Sequence, residues 1–261
     1  MIVCKSAAEV ARMRAANVLV ADVLAELRAM VRPGVTTAEL DEFAERRVRG
    51  AGAVPAFKGY HGFPATLCTS VNEEVIHGIP SARALCDGDI VSIDVGVLLD
   101  GFYGDAAITV PVGAIDGRVA ELLRVTEESL YRGIDQARVG ARVSDIGHAV
   151  QQHVEAHGFS VVREFVGHGV GTSLHEDPQV PNYGPAGRGP RLAEGMTLAI
   201  EPMVAMGKAA VKVLRDGWTA VTKDRSLAAH FEHTVAVTAG GPVILTVPNG
   251  AARQASRGDA T

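Results

Sequence analysis

Four carboxylates and one imidazole stand where their types and settings could do chemistry: Asp94, Asp105, His168, Glu201 and Glu232. Asp94 closes the apolar run Ile90-Val91-Ser92-Ile93, and Glu201 closes Leu198-Ala199-Ile200 ahead of Pro202. An acid buried at the end of such a run without a partner is costly, so each asks for a cation. Asp105 follows Asp94 by eleven residues, before the next apolar segment, where a hairpin could aim both acids inward. His168 sits in Val166-Gly167-His168-Gly169-Val170-Gly171, a glycine-rich loop whose small neighbours let backbone or substrate approach the ring. Glu232 lies in Phe231-Glu232-His233-Thr234, at the start of an apolar strand. Singly, each has an ordinary reading as a solvated turn, a structural histidine or a strand-end acid. Together they form a mostly oxygen ligand set with one nitrogen, which suits Mn, Fe, Co or Zn and differs from a thiolate-bound structural zinc. Five ligands exceed the need of one ion with an open position. Two divalent ions about 3 to 4 Å apart would use all five and leave room for a bridging hydroxide.

Such a cluster needs elements to hold it. Ser6 with Glu9 has capping-box spacing, and Val10, Met13, Asn17, Val20, Leu24 and Leu27 follow at three- and four-residue steps, predicting a long amphipathic helix. Pro33-Gly34 interrupts it. Thr36 with Glu39 restarts the cap pattern for a helix through Leu40, Phe43, Ala44 and Val48 that ends near Gly50 or Gly52. Ile90–Val95 and Ile108–Val112 read as strands joined through Asp100-Gly101, and a helix is expected from Val119 to about Ile134. Further strands are expected at Ala210–Leu214, Thr219–Thr222, Phe231–Thr238 and Val243–Val247.

The second half repeats the first. Gly34, Leu40, Val48 and Gly52 recur 106 positions later as Gly140, Ile146, Val154 and Gly158. Gly88-Asp89-Ile90-Val91-Ser92-Ile93-Asp94 aligns with Gly195-Met196-Thr197-Leu198-Ala199-Ile200-Glu201, and Ile76-His77 before Pro80 parallels Leu174-His175 before Pro178. The expectation is an α+β fold built as a duplicated unit, with pseudo-repeats at about 5–115 and 116–247 inside one catalytic domain, 1–250. Matching acids and histidines would meet across a pseudo-twofold. A small, polar and disordered tail is expected at 251–261.

Composition sets the class. With 261 residues, 47% of them hydrophobic and 21% charged, the chain has material for a large core, which excludes a disordered chain or a miniprotein. A formal charge of −5 gives no basic excess for a nucleic-acid backbone. The three cysteines Cys4, Cys68 and Cys86 lack CxxC spacing and suit a reducing compartment. No window holds about 18 uninterrupted apolar residues, and the start MIVCKSAAEV has no signal pattern. A cytoplasmic protein with no membrane or nucleic-acid partner is expected.

Several motifs carry a resemblance. Cys68-Thr69-Ser70-Val71-Asn72-Glu73-Glu74-Val75-Ile76-His77-Gly78-Ile79-Pro80, Ile93-Asp94-Val95-Gly96, Gly104-Asp105, Gly167-His168-Gly169-Val170-Gly171, His175-Glu176-Asp177-Pro178, Ile200-Glu201-Pro202-Met203 and Phe231-Glu232-His233-Thr234 occur in order. The chain thereby resembles the type I methionine aminopeptidases, in their short bacterial form, from about residue 5 to 247. The resemblance implies the pita-bread fold, a pseudo-symmetric antiparallel sheet covered by helices. It places Asp94, Asp105, His168, Glu201 and Glu232 on the family's dinuclear metal ligands, with two divalent ions of Fe, Mn, Co or Zn. It implies removal of the initiator methionine from nascent chains whose second residue is small, a metal-bridging hydroxide attacking the carbonyl with Glu201 as proton shuttle. By the same resemblance His175 donates toward the carbonyl oxygen and His77 contacts the scissile nitrogen or the backbone beyond it. Phe57, Tyr60, Phe63, Cys68, Leu174 and Trp218 line the methionine pocket, aromatic edges and a thiol that suit a thioether. A monomer with transient ribosome contact is implied.

Two positions depart from the family pattern. Leu174 stands where an aromatic is frequent, which leaves the pocket floor open. His230 stands where a neutral amide is common, leaving two readings, an altered pH dependence through Glu232 or a solvent-exposed ring. Proline-specific relatives usually add an N-terminal domain and the type II methionine enzymes a helical insertion, neither of which fits in 261 residues. A noncatalytic relative would lose ligands, whereas all five positions keep a carboxylate or an imidazole.

Overall fold

The structure, a computed structural model, describes residues 1–248, so the tail expected at 251–261 lies outside the described residues. In chain order the elements are α1 (Ala7–Met30), α2 (Thr37–Gly50), β1 (Val54–Pro55), a 3-10 turn (Tyr60–Gly62), β2 (Leu67–Val71), β3 (Glu74–Ile76), β4 (Ile90–Leu99) and β5 (Phe102–Pro111). The second half follows with α3 (Gly117–Ile134), α4 (Val143–Ala156), β6 (Ser160–Val161), β7 (Gly167–Gly169), β8 (Glu176–Val180) and β9 (Thr197–Ile200). It ends with β10 (Met203–Ala205), β11 (Val211–Val213), β12 (Ala220–Thr222), β13 (Ala228–His230), β14 (His233–Thr238) and β15 (Gly241–Ile244).

Both predicted capping boxes are formed. Ser6 and Thr36 each accept a hydrogen bond from the glutamate three residues on, and that glutamate's carboxylate accepts from the cap N–H at 2.7 Å. The repeat is visible in backbone detail. α2 and α4 are offset by 106 residues at both ends. Their flanking glycines have matching left-handed angles, Gly34 and Gly140 at φ 90 and 89, Gly52 and Gly158 at φ 75 and 74. Gly34 N–H donates to Leu85 O and Gly140 N–H to Leu192 O, both at 2.8 Å.

All strand pairs are antiparallel. One sheet joins β1, β4 and β2, with β5 on β4; another runs β15-β14-β9-β7-β8; two three-stranded sheets, β13-β10-β6 and β11-β12-β3, complete the fold. The β4–β5 hairpin is longer than the sequence predicts. Its ten-residue strands meet at a two-residue turn in which Asp100 and Gly101 have φ 51 and 80, the left-handed pair of a type I′ hairpin. Asp94 and Asp105 therefore lie inside continuous strands, not at their ends. Gly96 and Gly104, inside these strands, mark close approaches. A Cβ on Gly96 would stand 2.5 Å from Phe57 Cε1, and one on Gly104 would stand 2.9 Å from the α1 backbone at Ala16.

Strand alternation then decides where the acids point. Val91, Ile93, Val95, Ala106 and Val110 pack with α1 and α2 residues in one core, while Leu198, Ile200, Val235 and Val237 pack with α3 and α4 residues in another. Asp94, Asp105, Glu201 and Glu232 have the opposite parity and face away from the helices. The halves are stitched where they meet. Glu232 N–H donates to Ala107 O at 2.9 Å, Thr109 Oγ1 donates to His230 O at 2.8 Å, and Thr234 Oγ1 donates to Asp105 O at 2.8 Å. Among the described residues no helix is long and apolar enough to cross a membrane.

Candidate metal centre and substrate cavity

The strand faces turned from the helices open into a cavity of about 820 Å³ lined by all five predicted ligands, Asp94, Asp105, His168, Glu201 and Glu232. Ligand atoms of Asp105, His168 and Glu232 lie within 4.8 Å of one another. His168 Nε2 is 3.5 Å from Glu201 Oε1 and 3.9 Å from Asp105 Oδ2. The glycine-rich segment around His168 is not a loop but the short inner strand β7, paired with β8 and β9. His168 Nδ1 lies 2.9 Å from Gly169 O. A carbonyl only accepts, so Nδ1 carries the proton and Nε2 presents a lone pair to the acids. Glu201 is placed by Ile200 in β9 and by Asn182, whose Nδ2 donates to Glu201 O at 3.0 Å where Pro202 ends the ladder.

The electrostatics ask for cations. Among the described residues no lysine or arginine lines the cavity. Asp94 Oδ1, Asp105 Oδ1 and Glu232 Oε1 are buried with no hydrogen-bond partner among the described residues. Burial pushes the Asp94 carboxyl up to about 7, with a hydrogen bond from Asp105 working against the rise. Burial lifts Asp105, Glu201 and Glu232 well above the carboxylate range, and repulsion among the acids adds to it. Burial, then the neighbouring His175, holds His168 down at about 3, so it is neutral and fit to ligate. Orphaned acid oxygens, a neutral imidazole lone pair and no resident side-chain cation together fit hard divalent metal ions.

The remaining predicted residues surround this floor. His77 and His175 both line the cavity. His77 takes a left-handed backbone, φ 59, and its ring meets Phe165 and Trp218 edge-on at 5.7 and 6.3 Å. Burial, then His175, lowers its pKa to about 4. The His175 ring stands 4.3 Å from that of His168, its Nδ1 lies 2.7 Å from Tyr60 Oη, and burial followed by His61 depresses its pKa. The next residue, Glu176, is ion-paired to buried Lys5 and accepts the Thr172 and Ser173 N–H groups, which fixes the loop that carries His175. Phe57, Tyr60, Phe63, Cys68, Leu174 and Trp218 form an apolar wall, with Phe63 and Trp218 edge-to-face at 5.1 Å. Cys68 pairs with Asp94 in the β2–β4 register, and burial, then the Asp94 charge, raises its thiol so that it stays protonated.

His230 is 2% exposed, which removes the solvent-exposed reading. Its Nε2 is 3.7 Å from Glu201 Oε2, and burial, then His77, lowers its pKa to about 3. Ile76, His61, Phe165 and Gln179 also line the cavity and were not singled out from sequence. Ile76 precedes His77 and Phe165 lies three residues before His168, so adjacency to named residues was the available signal. For His61 it was the flanking Gly59 and Gly62.

Comparison with known proteins gives a consistent picture. Residues 11–239 match the family model described as Metallopeptidase family M24. Over 246 residues the chain is 56% identical to "Methionine aminopeptidase 1" of Bacillus subtilis, covering 94% of this chain and 99% of that protein. It is 56% identical over 247 residues to the methionine aminopeptidase of Clostridium perfringens, covering 95% and 99%. The crystal structure of methionine aminopeptidase from Rickettsia prowazekii superposes with a TM-score of 0.94 at 42% identity, covering 95% of this chain and 100% of that one. The prolidase from Pyrococcus furiosus shares the fold alone, with a TM-score of 0.77 at 22% identity, this chain covering 65% of it.

Proposed function

This chain belongs to metallopeptidase family M24 and, within it, to the bacterial type I methionine aminopeptidases, and on that premise we propose that it removes the initiator methionine from nascent polypeptides whose second residue is small. The observation that carries the reading is one cavity in which a buried acidic floor meets an apolar wall. The floor, Asp94, Asp105, His168, Glu201 and Glu232, would hold two divalent ions of Fe, Mn, Co or Zn. Such ions supply Lewis-acid activation of water and of the carbonyl, and a seat for the free α-amino group. Glu201 takes a proton from the attacking water and delivers it to the leaving amine; its burial among acids favours holding that proton in between. His175 donates a hydrogen bond to the carbonyl oxygen as charge gathers there, and His77 contacts the scissile nitrogen. Phe57, Tyr60, Phe63, Cys68, Leu174 and Trp218 receive the methionine side chain.

The same reading takes 1–250 as one catalytic unit with repeats at about 5–115 and 116–247, supported by the matched offsets of α2 and α4. The protein acts as a cytoplasmic monomer that meets nascent N-termini at the ribosome in transient contact, with no nucleic-acid substrate and no membrane. Its charge of −5 supports the last two points. The decisive experiment strips metal, restores Mn, Fe, Co or Zn singly, and assays Met-Ala-Ser against Leu- and Pro-initiated peptides. Metal-dependent release of methionine alone is expected. A folded protein that releases none with any metal sinks the reading.

A further inference from the structure

Two imidazoles in the cavity have different partners at the same atom. His168 Nδ1 faces the Gly169 carbonyl at 2.9 Å, whereas His175 Nδ1 faces the Tyr60 hydroxyl at 2.7 Å. A carbonyl forces the proton onto Nδ1 of His168. A hydroxyl can give or take, so the geometry must decide. N–H donors to oxygen cluster near about 2.9–3.0 Å and O–H donors near about 2.7–2.8 Å, which favours the phenol as donor. Among the described residues the phenol proton has no other hydrogen-bond acceptor. A neutral His175 that accepts at Nδ1 carries its proton on Nε2, on the side of the ring away from Tyr60.

Tyr60 is held in place for this contact. Its turn passes through three left-handed residues, Gly59, His61 and Gly62, at φ 89, 48 and 89. Gly59 N–H donates to Phe63 O at 2.8 Å and Tyr60 N–H to Phe57 O at 2.9 Å, closing the turn from both sides. The Tyr60 and His175 rings lie 5.2 Å apart at 44°. From the opposite side, the pairing of Lys5 with Glu176 steadies the loop on which His175 stands.

We propose that Tyr60 is a positioning residue for His175: its hydroxyl donates to Nδ1 and holds the tautomer whose Nε2–H polarises the scissile carbonyl. The proposal rests on the aminopeptidase reading above and deepens it. One wall residue of the methionine pocket thereby sets the proton pattern of the group beside the reacting bond. The partner at Nδ1 alone makes His168 a lone-pair ligand and His175 a hydrogen-bond donor.

The test is nitrogen NMR of histidine-labelled, zinc-loaded protein, with His175→Gln used to assign the ring. The expected spectrum shows an unprotonated, hydrogen-bonded His175 Nδ1 and a protonated Nε2. Tyr60→Phe should move Nδ1 to the value of a free lone pair and lower kcat about tenfold, the size of one lost neutral hydrogen bond, with KM for Met-Ala-Ser within about twofold. A protonated Nδ1 in the unsubstituted protein overturns the proposal, and so does a Tyr60→Phe protein with unchanged shifts or unchanged kcat. Failure of the unsubstituted protein to release methionine would strike the aminopeptidase reading instead, and the nitrogen shifts do not depend on it.

Discussion

The floor and the wall of the cavity are built on opposite principles. Every acid of the floor is carried in or beside a sheet strand, from both halves of the chain, and is buried against its own charge preference. The wall comes largely from loops and strand edges, from Phe57 to Cys68 with Leu174 and Trp218, and is stable as apolar contact. The floor is costly without a ligand and rigid by construction; the wall needs no ligand and can vary. Chemistry therefore centres where strands fix the backbone, with Tyr60 reaching it from the wall through His175, and selectivity rests with the other wall residues.

The contrast can be broken at its strongest point first. Glu201→Gln keeps shape but removes a proton carrier and a ligand charge, so kcat should fall by about 10³-fold, the middle of the general acid–base range. Retained turnover would mean that the floor acts by electrostatics alone. At the wall, Trp218→Ala should raise KM for Met-Ala-Ser about tenfold, with kcat within about threefold, as expected when uniform binding is lost. A kcat loss without a KM change would show that Trp218, like Tyr60, acts on the chemistry and not on binding alone. The smallest effect sharpens the difference in cost. Asp94, lifted to about 7 by burial, contributes stability fully present below its ordinary value of 3.8 and lost as pH rises through 7. Bound metal offsets that loss, so the Tm gained on adding Mn to stripped protein should widen by a few degrees between pH 5 and 8. A gain that stays constant with pH would mean the floor acids are already ionised without metal.

Legibility followed locality. Helix starts at Ser6 and Thr36 were readable because a cap and its glutamate lie three residues apart. The candidate ligands could be singled out because Asp94 and Glu201 close apolar runs and the motifs around all five occur in order. The short strands β3, β7, β10 and β13 were not, since three residues carry no period. Gly96 and Gly104 concealed half the hairpin because sequence cannot separate a glycine that turns from a glycine that yields space. The burial of His230 and the Tyr60–His175 pair, 115 residues apart, depend on the completed packing of both halves.

The stitches between Asp105 and Thr234, and between Thr109 and His230, also set an order in time. A chain leaves the ribosome amino end first at about 5–20 residues per second, so Asp94 emerges on the order of ten seconds before Glu232. Through that interval the hairpin aspartates meet the cell's ions without Glu232, and through roughly its first half without His168 or Glu201 as well. Lys5 waits as well, since its backbone N–H bonds to Gly195 and its ammonium to Glu176. The floor is assembled only by the last strands, so loading with metal is an event of the nearly finished chain, and a synthesis halted midway leaves an inert hairpin.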